Sequence, residues 1–175
     1  MKIIQVYAPQ QGRIAVEKEE FYQALQDEID LTNGDIVIMG DLNGHIGVDR
    51  DGFNNVVGAF GIGDRNREGE RLLDFCVLNN LAIMNTYFKH KDEHKWTWYR
   101  WNYERQEYTC KSMIDMIITN NKTIFNDVKS IPSLSCDSDH RMVIGKINFI
   151  QPKSVKGPIR KRFTIEKLTN PEIAL

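Results

Sequence analysis

Residues 36–43 read Ile36-Val37-Ile38-Met39-Gly40-Asp41-Leu42-Asn43. Four apolar residues without alternation suit a strand buried on both faces, since a strand with one wet face would alternate. Upstream, Lys2–Tyr7 is a short β-type run stopped by Pro9. Between residues 16 and 29, Phe21, Leu25 and Ile29 recur at helical spacing, with Glu and Asp on the other face. A strand, a helix and a buried strand predict α/β layering. In open sheets of this kind ligands gather beyond the carboxyl ends of the strands, so Gly40-Asp41-Leu42-Asn43 stands where a site is expected. On an extended chain Asp41 and Asn43 point to one side. An acid that orients or deprotonates water, beside an amide that donates to an anion, suits phosphate-ester cleavage. Taken alone, such a segment is more often a plain Asp/Asn/Gly turn.

Further along, residues 44–65 are rich in Gly and Asp and predict loop, while residues 67–80 predict a second helix carrying Leu72, Leu73, Phe75, Cys76 and Leu78. Strands are expected at 81–84, 95–101, 113–119 and 142–150, so strands dominate the second half. Two stretches there carry chemistry. Ser138-Asp139-His140 precedes the last strand, but neighbours on an extended chain face opposite ways, so His140 needs its carboxylate from elsewhere. Asp115 is a single acid in an apolar strand, Ile114-Asp115-Met116-Ile117-Ile118. A buried carboxylate needs a partner, and an imidazolium is a natural one, useful beside a phosphate. It is equally open that Asp115 satisfies local backbone and His140 merely starts a strand. The segment His94-Lys95-Trp96-Thr97-Trp98-Tyr99-Arg100-Trp101 interleaves aromatics with bases, a pattern that stacks nucleobases and holds phosphates. Trp98, Arg100 and Trp101 are the candidate contacts, with at least one of the three tryptophans expected in the core. The glycines at 58, 61 and 63 open no helix and are no dinucleotide fingerprint, and His45 and His90 lack metal-ligand spacing.

Composition sets the outer bounds. The chain has 175 residues, 41% of them hydrophobic, with three Trp, six Tyr and eight Phe, which excludes a disordered tail or a coiled coil and favours one domain. No apolar run approaches a bilayer span, and the first residues lack the form of a signal peptide. Cys76, Cys110 and Cys136, odd in number and without a CxxC pair, read as reduced intracellular thiols. Charge is uneven. Residues 151–175 hold six basic and two acidic side chains, and residues 1–150 hold seventeen basic and twenty-two acidic ones. The expected organisation is a body over 1–150 and a basic linker or tail over 151–175. An acidic body excludes nonspecific coating of nucleic acid; any contact with DNA has to be local.

Five ordered motifs together resemble the endonuclease/exonuclease/phosphatase family: Tyr7-Ala8-Pro9, Gly40-Asp41-Leu42-Asn43, Thr97-Trp98, Ile114-Asp115 and Ser138-Asp139-His140. The segment Asn66-Arg67-Glu68-Gly69-Glu70-Arg71-Leu72-Leu73-Asp74-Phe75, with Asn80-Leu81 and Asn85-Thr86 after it, resembles endonuclease domains of non-LTR (LINE, RTE-type) retrotransposons and their host-adopted relatives, the craniofacial development protein 2-like group. The resemblance implies a four-layered α/β sandwich of the DNase I-like kind and phosphodiester hydrolysis dependent on Mg²⁺ (or Mn²⁺), with DNA as substrate, no membrane partner and a nuclear place of work. It implies that His140, oriented by Asp115, contacts the scissile phosphate, that Asp41 positions the attacking water, that Asn43 stabilises phosphorane oxygens, that Tyr7 touches the phosphate and that Asp139 lies on the metal side. The family also carries an early Asn and a metal-binding Glu ahead of its Tyr-Ala-Pro strand. This sequence starts at that strand, so the expectation is an incomplete sandwich with open edges and apolar surface near residues 3–7, and weak or absent activity. Two other readings stand beside the endonuclease: an inactive host-adopted remnant that binds nucleic acid or protein, and a phosphatase of the same family acting on inositol or lipid phosphates, against which the retrotransposon-like segment argues.

Overall fold

The computed structural model describes residues 1–133 and 138–148. In chain order the elements are β1 (Lys2–Tyr7), α1 (Ala15–Asp30), β2 (Ile36–Asp41), α2 (Arg67–Leu78), β3 (Ala82–Ile83), β4 (Trp98–Asn102), β5 (Glu107–Ser112), β6 (Asp115–Thr119), β7 (Phe125–Ile131) and β8 (Met142–Ile147). Single turns of 3-10 helix lie at Met84–Thr86, Asp92–His94 and Lys122–Ile124. The expected basic tail lies outside the described residues.

The buried run forms β2, with Ile36, Val37 and Ile38 enclosed on both faces. Parallel pairing to β1 needs a crossover, and α1 provides it. Antiparallel β6 pairs along the other edge of β2 and carries the short β3, so the sheet runs β1-β2-β6-β3. Two hairpins, β4–β5 and β7–β8, stand beside it. The sequence reading located six of the eight strands and omitted β5 and β7. Strand β5 (Glu-Tyr-Thr-Cys-Lys-Ser) has one buried residue, so it carries no apolar alternation to read.

Two apolar clusters sit on opposite faces of the sheet. On one face Ile36, Ile38, Met116 and Ile118 meet Leu25 of α1 and Leu72, Leu73 and Cys76 of α2. On the other, Val37 and Ile117 meet Phe125 and Val128 of the β7–β8 hairpin. The described residues thus build helices, sheet and second-sheet hairpin, three of the four expected layers. Among the described residues no helix is long and apolar enough to cross a membrane.

The Asn66–Phe75 segment is a structural joint. The Asn66 side chain caps α2, its Oδ1 accepting from Gly69 N at 2.8 Å and from His45 N at 3.0 Å. A Cβ on Gly69 would overlap the His45 carbonyl oxygen, so only glycine lets the helix approach this loop. Glu68 meets Lys18 of α1 at 2.7 Å, both side chains largely enclosed. The open edges anticipated near the start of the chain are present. Among the described residues strand β1 pairs only with β2, and β8 only with β7. Between them runs a groove of about 350 Å³ lined by Ile3, Val37, Met39, Phe125, Val143 and Gly145, and Ile3 and Tyr7 are 57% and 67% exposed.

Candidate active site

Strand register brings the first three candidates into one row. Tyr7 lies opposite Asp41 in the β1–β2 pairing, and Asp41 lies opposite Asp115 in the β2–β6 pairing. Residues opposite one another share a face, so all three sit at one end of the sheet on one side. Gly40 makes the row possible. Its φ is +142°, and a Cβ there would overlap the Val6 carbonyl oxygen of the adjacent strand. The glycine of Gly40-Asp41-Leu42-Asn43 is thus a packing requirement, and the chemistry lies in its neighbours.

Asp41 is 8% exposed. Burial holds its carboxyl above the usual range; a hydrogen bond from Asn43 N–H opposes this, the Asp115 carboxylate adds to it, His140 opposes and Asp139 adds. Asp41 and Asn43 are brought together, though not by strand alternation. Asn43 has left the strand and adopts a left-handed φ of 49°. The Asp41 carboxylate accepts from Asn43 N at 2.9 Å, and the Asn43 amide donates to Ala8 O at 2.8 Å, tying the end of β1 to the turn. One amide N–H of Asn43 is therefore committed to backbone.

His140 meets the partner expected for it. Its Nδ1 lies 3.0 and 3.2 Å from the two Asp115 oxygens, which fixes the ring and leaves Nε2 for a ligand. Asp41, Asp115 and His140 each offer a ligand atom within 4.8 Å of the others. Asp139 turns the other way, as neighbours on an extended chain do. It accepts from the Trp98 indole Nε1 at 2.7 Å.

Three residues that the sequence reading gave no part position this cluster. Thr97 is fully buried, and its hydroxyl accepts from both Ile114 N (3.1 Å) and Asp115 N (2.9 Å). Asn85 accepts from Ile117 N at 2.8 Å and donates to Asp115 O at 3.1 Å, holding β6 from the other side. Arg141 N donates to Thr97 O at 2.6 Å, and its guanidinium lies 3.1 Å from the Trp96 ring centroid. Burial pulls the Arg141 guanidinium below its usual range. Buried polar residues of this kind have a signal, since each needs a partner, but the identity of that partner is not local.

The β4–β5 hairpin flanks the site. Trp96 is the core tryptophan, 5% exposed, while Trp98 and Trp101 are half-buried and Arg100 is exposed. With Tyr103, Ser138 and Asp139 they line a cavity of about 560 Å³, and the Arg100 guanidinium stands 5.8 Å from the Trp98 ring centroid.

Comparison with known proteins bears on the family and the fold. The family described as Endonuclease-reverse transcriptase matches residues 1–144. Craniofacial development protein 2 from Tragulus javanicus is 31% identical over 163 residues, spanning 89% of this chain and 27% of that protein. The Bos taurus protein of that name is also 31% identical over 163 residues, spanning 89% and 26%. The chain thus spans about a quarter of the length of these curated relatives. Among solved structures, the 3' phosphatase NExo from Neisseria, bound to product DNA hairpin, superposes with a TM-score of 0.53 at 18% identity, over 84% of this chain and 61% of that one. The catalytic domain of Xenopus laevis APE2 gives 0.54 at 19%, over 81% and 48%. At these identities the structures establish the DNase I-like fold alone. Five motifs in order, the match to residues 1–144 and the shared fold lead to one assignment: the chain belongs to the endonuclease/exonuclease/phosphatase family, in its endonuclease–reverse transcriptase group.

Proposed function

We propose that this chain carries the catalytic centre of a metal-dependent phosphodiesterase that nicks DNA, of retrotransposon origin. The observation that carries the reading is the Asp115–His140 pair set beside a buried Asp41 at one end of the sheet. A carboxylate whose pKa is raised by burial is a better proton acceptor, and His140 presents a ring nitrogen whose opposite edge is anchored. Asp41 orients a water and takes its proton as the new P–O bond forms. The bond to the leaving oxygen breaks in line with it. His140 and the second Asn43 amide N–H meet the phosphate oxygens as charge builds there, and Tyr7 reaches the same phosphate from β1.

The donor set fits a hard cation. Asp41, Asp115 and His140 each offer a ligand atom within 4.8 Å of the others, and Mg²⁺ or Mn²⁺ is held by few protein ligands and several waters. By motif match Asp139 would stand on the metal side. A bound cation would neutralise charge on the phosphate during the displacement. DNA is the favoured substrate because Trp98, Arg100 and Trp101 offer stacking faces and a cation beside the site, and because a relative of this fold is seen with a product DNA hairpin. That substrate places the work in the nucleus.

Plasmid nicking with Mg²⁺ tests the reading. The expected result is conversion of supercoiled to open-circular DNA, weak in this chain and strong in a form extended at its N-terminus, reduced at least about a hundredfold in the extended form by His140→Ala and by Asp41→Ala and abolished by EDTA. Nicking that survives both substitutions would overturn it, and so would DNA binding without cleavage in this chain and in a form extended at its N-terminus.

A further inference from the structure

We propose that the groove between α1 and α2 is the docking site of this chain's own C-terminal segment, residues 160–168. The groove holds about 410 Å³, on the helix side of the sheet and away from the Tyr7–Asp41–Asp115 row. Tyr22 and Phe75, their ring centroids 5.1 Å apart, give it an apolar base. Leu78, the last residue of α2, stands 80% exposed at its margin. Glu19 and Asp74 add carboxylates, and among the described residues neither forms an ion pair. Arg71 lines the groove too, and its Nη1 is buried with no hydrogen-bond partner among the described residues. An unmatched buried donor is costly, so an occupant that brings a carbonyl or carboxylate is favoured. The groove thus calls for a segment that mixes apolar, basic and acceptor groups.

Residues 160–168 have that mixture: Arg160-Lys161-Arg162-Phe163-Thr164-Ile165-Glu166-Lys167-Leu168, with four bases, three apolar side chains and one acid. Charge favours the pairing. Helix α1 carries six carboxylates, and its one base, Lys18, is already held by Glu68 at 2.7 Å. The path is short. Asn148, just past β8, shares a cavity with Met1 and Asp35. Next to Met1, Lys2 Nζ donates to Glu28 O near the end of α1 at 3.0 Å. One turn back, Gln26 and Asn79 exchange amide hydrogen bonds at 2.8 and 2.9 Å, beside Leu78. Crossing from β8 to the helices means passing two layers of about 10 Å each. The fifteen residues from Asn148 to Phe163 reach up to about 50 Å. Tethering favours this occupant over a separate protein of the same chemistry. A linked segment meets its site at an effective concentration on the order of millimolar, so weak docking suffices to fill the groove.

Carbodiimide cross-linking of the full chain, mapped by mass spectrometry, tests the proposal, because it joins lysines to carboxylates in contact. Lys161 and Lys167 should link to Glu19 and Asp74 within the monomer band, and 0.5 M NaCl should weaken the links. Leu78→Ser on the body and Phe163→Ser on the segment should each lower them about tenfold, the scale of one apolar side chain left unburied. Leu78 is exposed and Phe163 lies past the last strand, so neither substitution threatens the fold, and matching far-ultraviolet dichroism verifies this. Links from Lys161 and Lys167 that reach Glu104 and Glu107 of the β4–β5 hairpin as often as Glu19 and Asp74 would overturn the docking. Links to Glu19 and Asp74 found only in a dimer band would also overturn it, since the segment would then come from a second copy.

Discussion

The two faces of the central sheet are built for different tasks. The face under α1 and α2 is closed: Ile38, Leu72, Leu73 and Cys76 are almost wholly enclosed, and burial pushes the Cys76 thiol far above its usual range. The face under the β7–β8 hairpin is closed only in part, with an open groove, exposed Ile3 and Tyr7, and the row Tyr7–Asp41–Asp115 at its end. Packing energy concentrates on the first face and chemistry on the second. A site must admit ligand and tolerate unfavourable charge, and the tightly packed face has no room for either.

Substitutions can break or sharpen that contrast. The largest effect is expected from Leu72→Ala, which deletes an enclosed side chain between α2 and the sheet and should destabilise by about 2–5 kcal/mol in urea unfolding. A loss below about 1 kcal/mol would show that the helix face is not the main source of stability.

The opposite sign is expected on the other face. Because the folded state binds the Asp41 proton more tightly than the unfolded chain does, stability falls as pH rises from the ordinary value of 3.8 through the folded one. Asp41→Asn removes that deficit. Without metal it should raise Tm at pH 7, and the advantage should vanish below pH 3.8. A Tm lowered at pH 7 would mean that the Asp41 charge is stabilised by its surroundings.

The smallest effect belongs to Ile3→Ser, on the exposed outer face of β1. It should shift stability by less than about 0.5 kcal/mol while lowering any tendency to self-associate, because it removes apolar surface along an open strand edge. Light scattering at rising concentration reads the second effect. A large loss of stability would show that the groove is better packed than its exposure implies.

Much of the fold was legible in the primary structure because its signals are periodic. The four-residue spacing of Phe21, Leu25 and Ile29 and the unbroken Ile36–Met39 run needed no knowledge of distant residues. The site was legible in a different sense. Asp41, Asp115 and His140 stood out as polar groups at strand ends or inside apolar runs, where each needs a reason. Asn43 was read as the extended neighbour of Asp41, yet a left-handed turn and the Ala8 carbonyl place it. Thr97 and Asn85 entered only as parts of motifs, without a role, because their work is to satisfy backbone groups 17 to 32 residues away. The Asn66–Phe75 segment served as a mark of the family group, and its cap and its glycine prove to join α2 to the loop at His45.

The sequence by itself determined the class of the sheet, the family and the side chains able to do chemistry, since these follow from residue type and short-range periodicity. Only the tertiary structure decided that Asp41 faces Asp115, that His140 closes on the latter, and that Trp98 reaches Asp139. Those contacts depend on strand register, which is set by the summed burial of two whole faces and by glycine at Gly40, and no local stretch of chain encodes that sum.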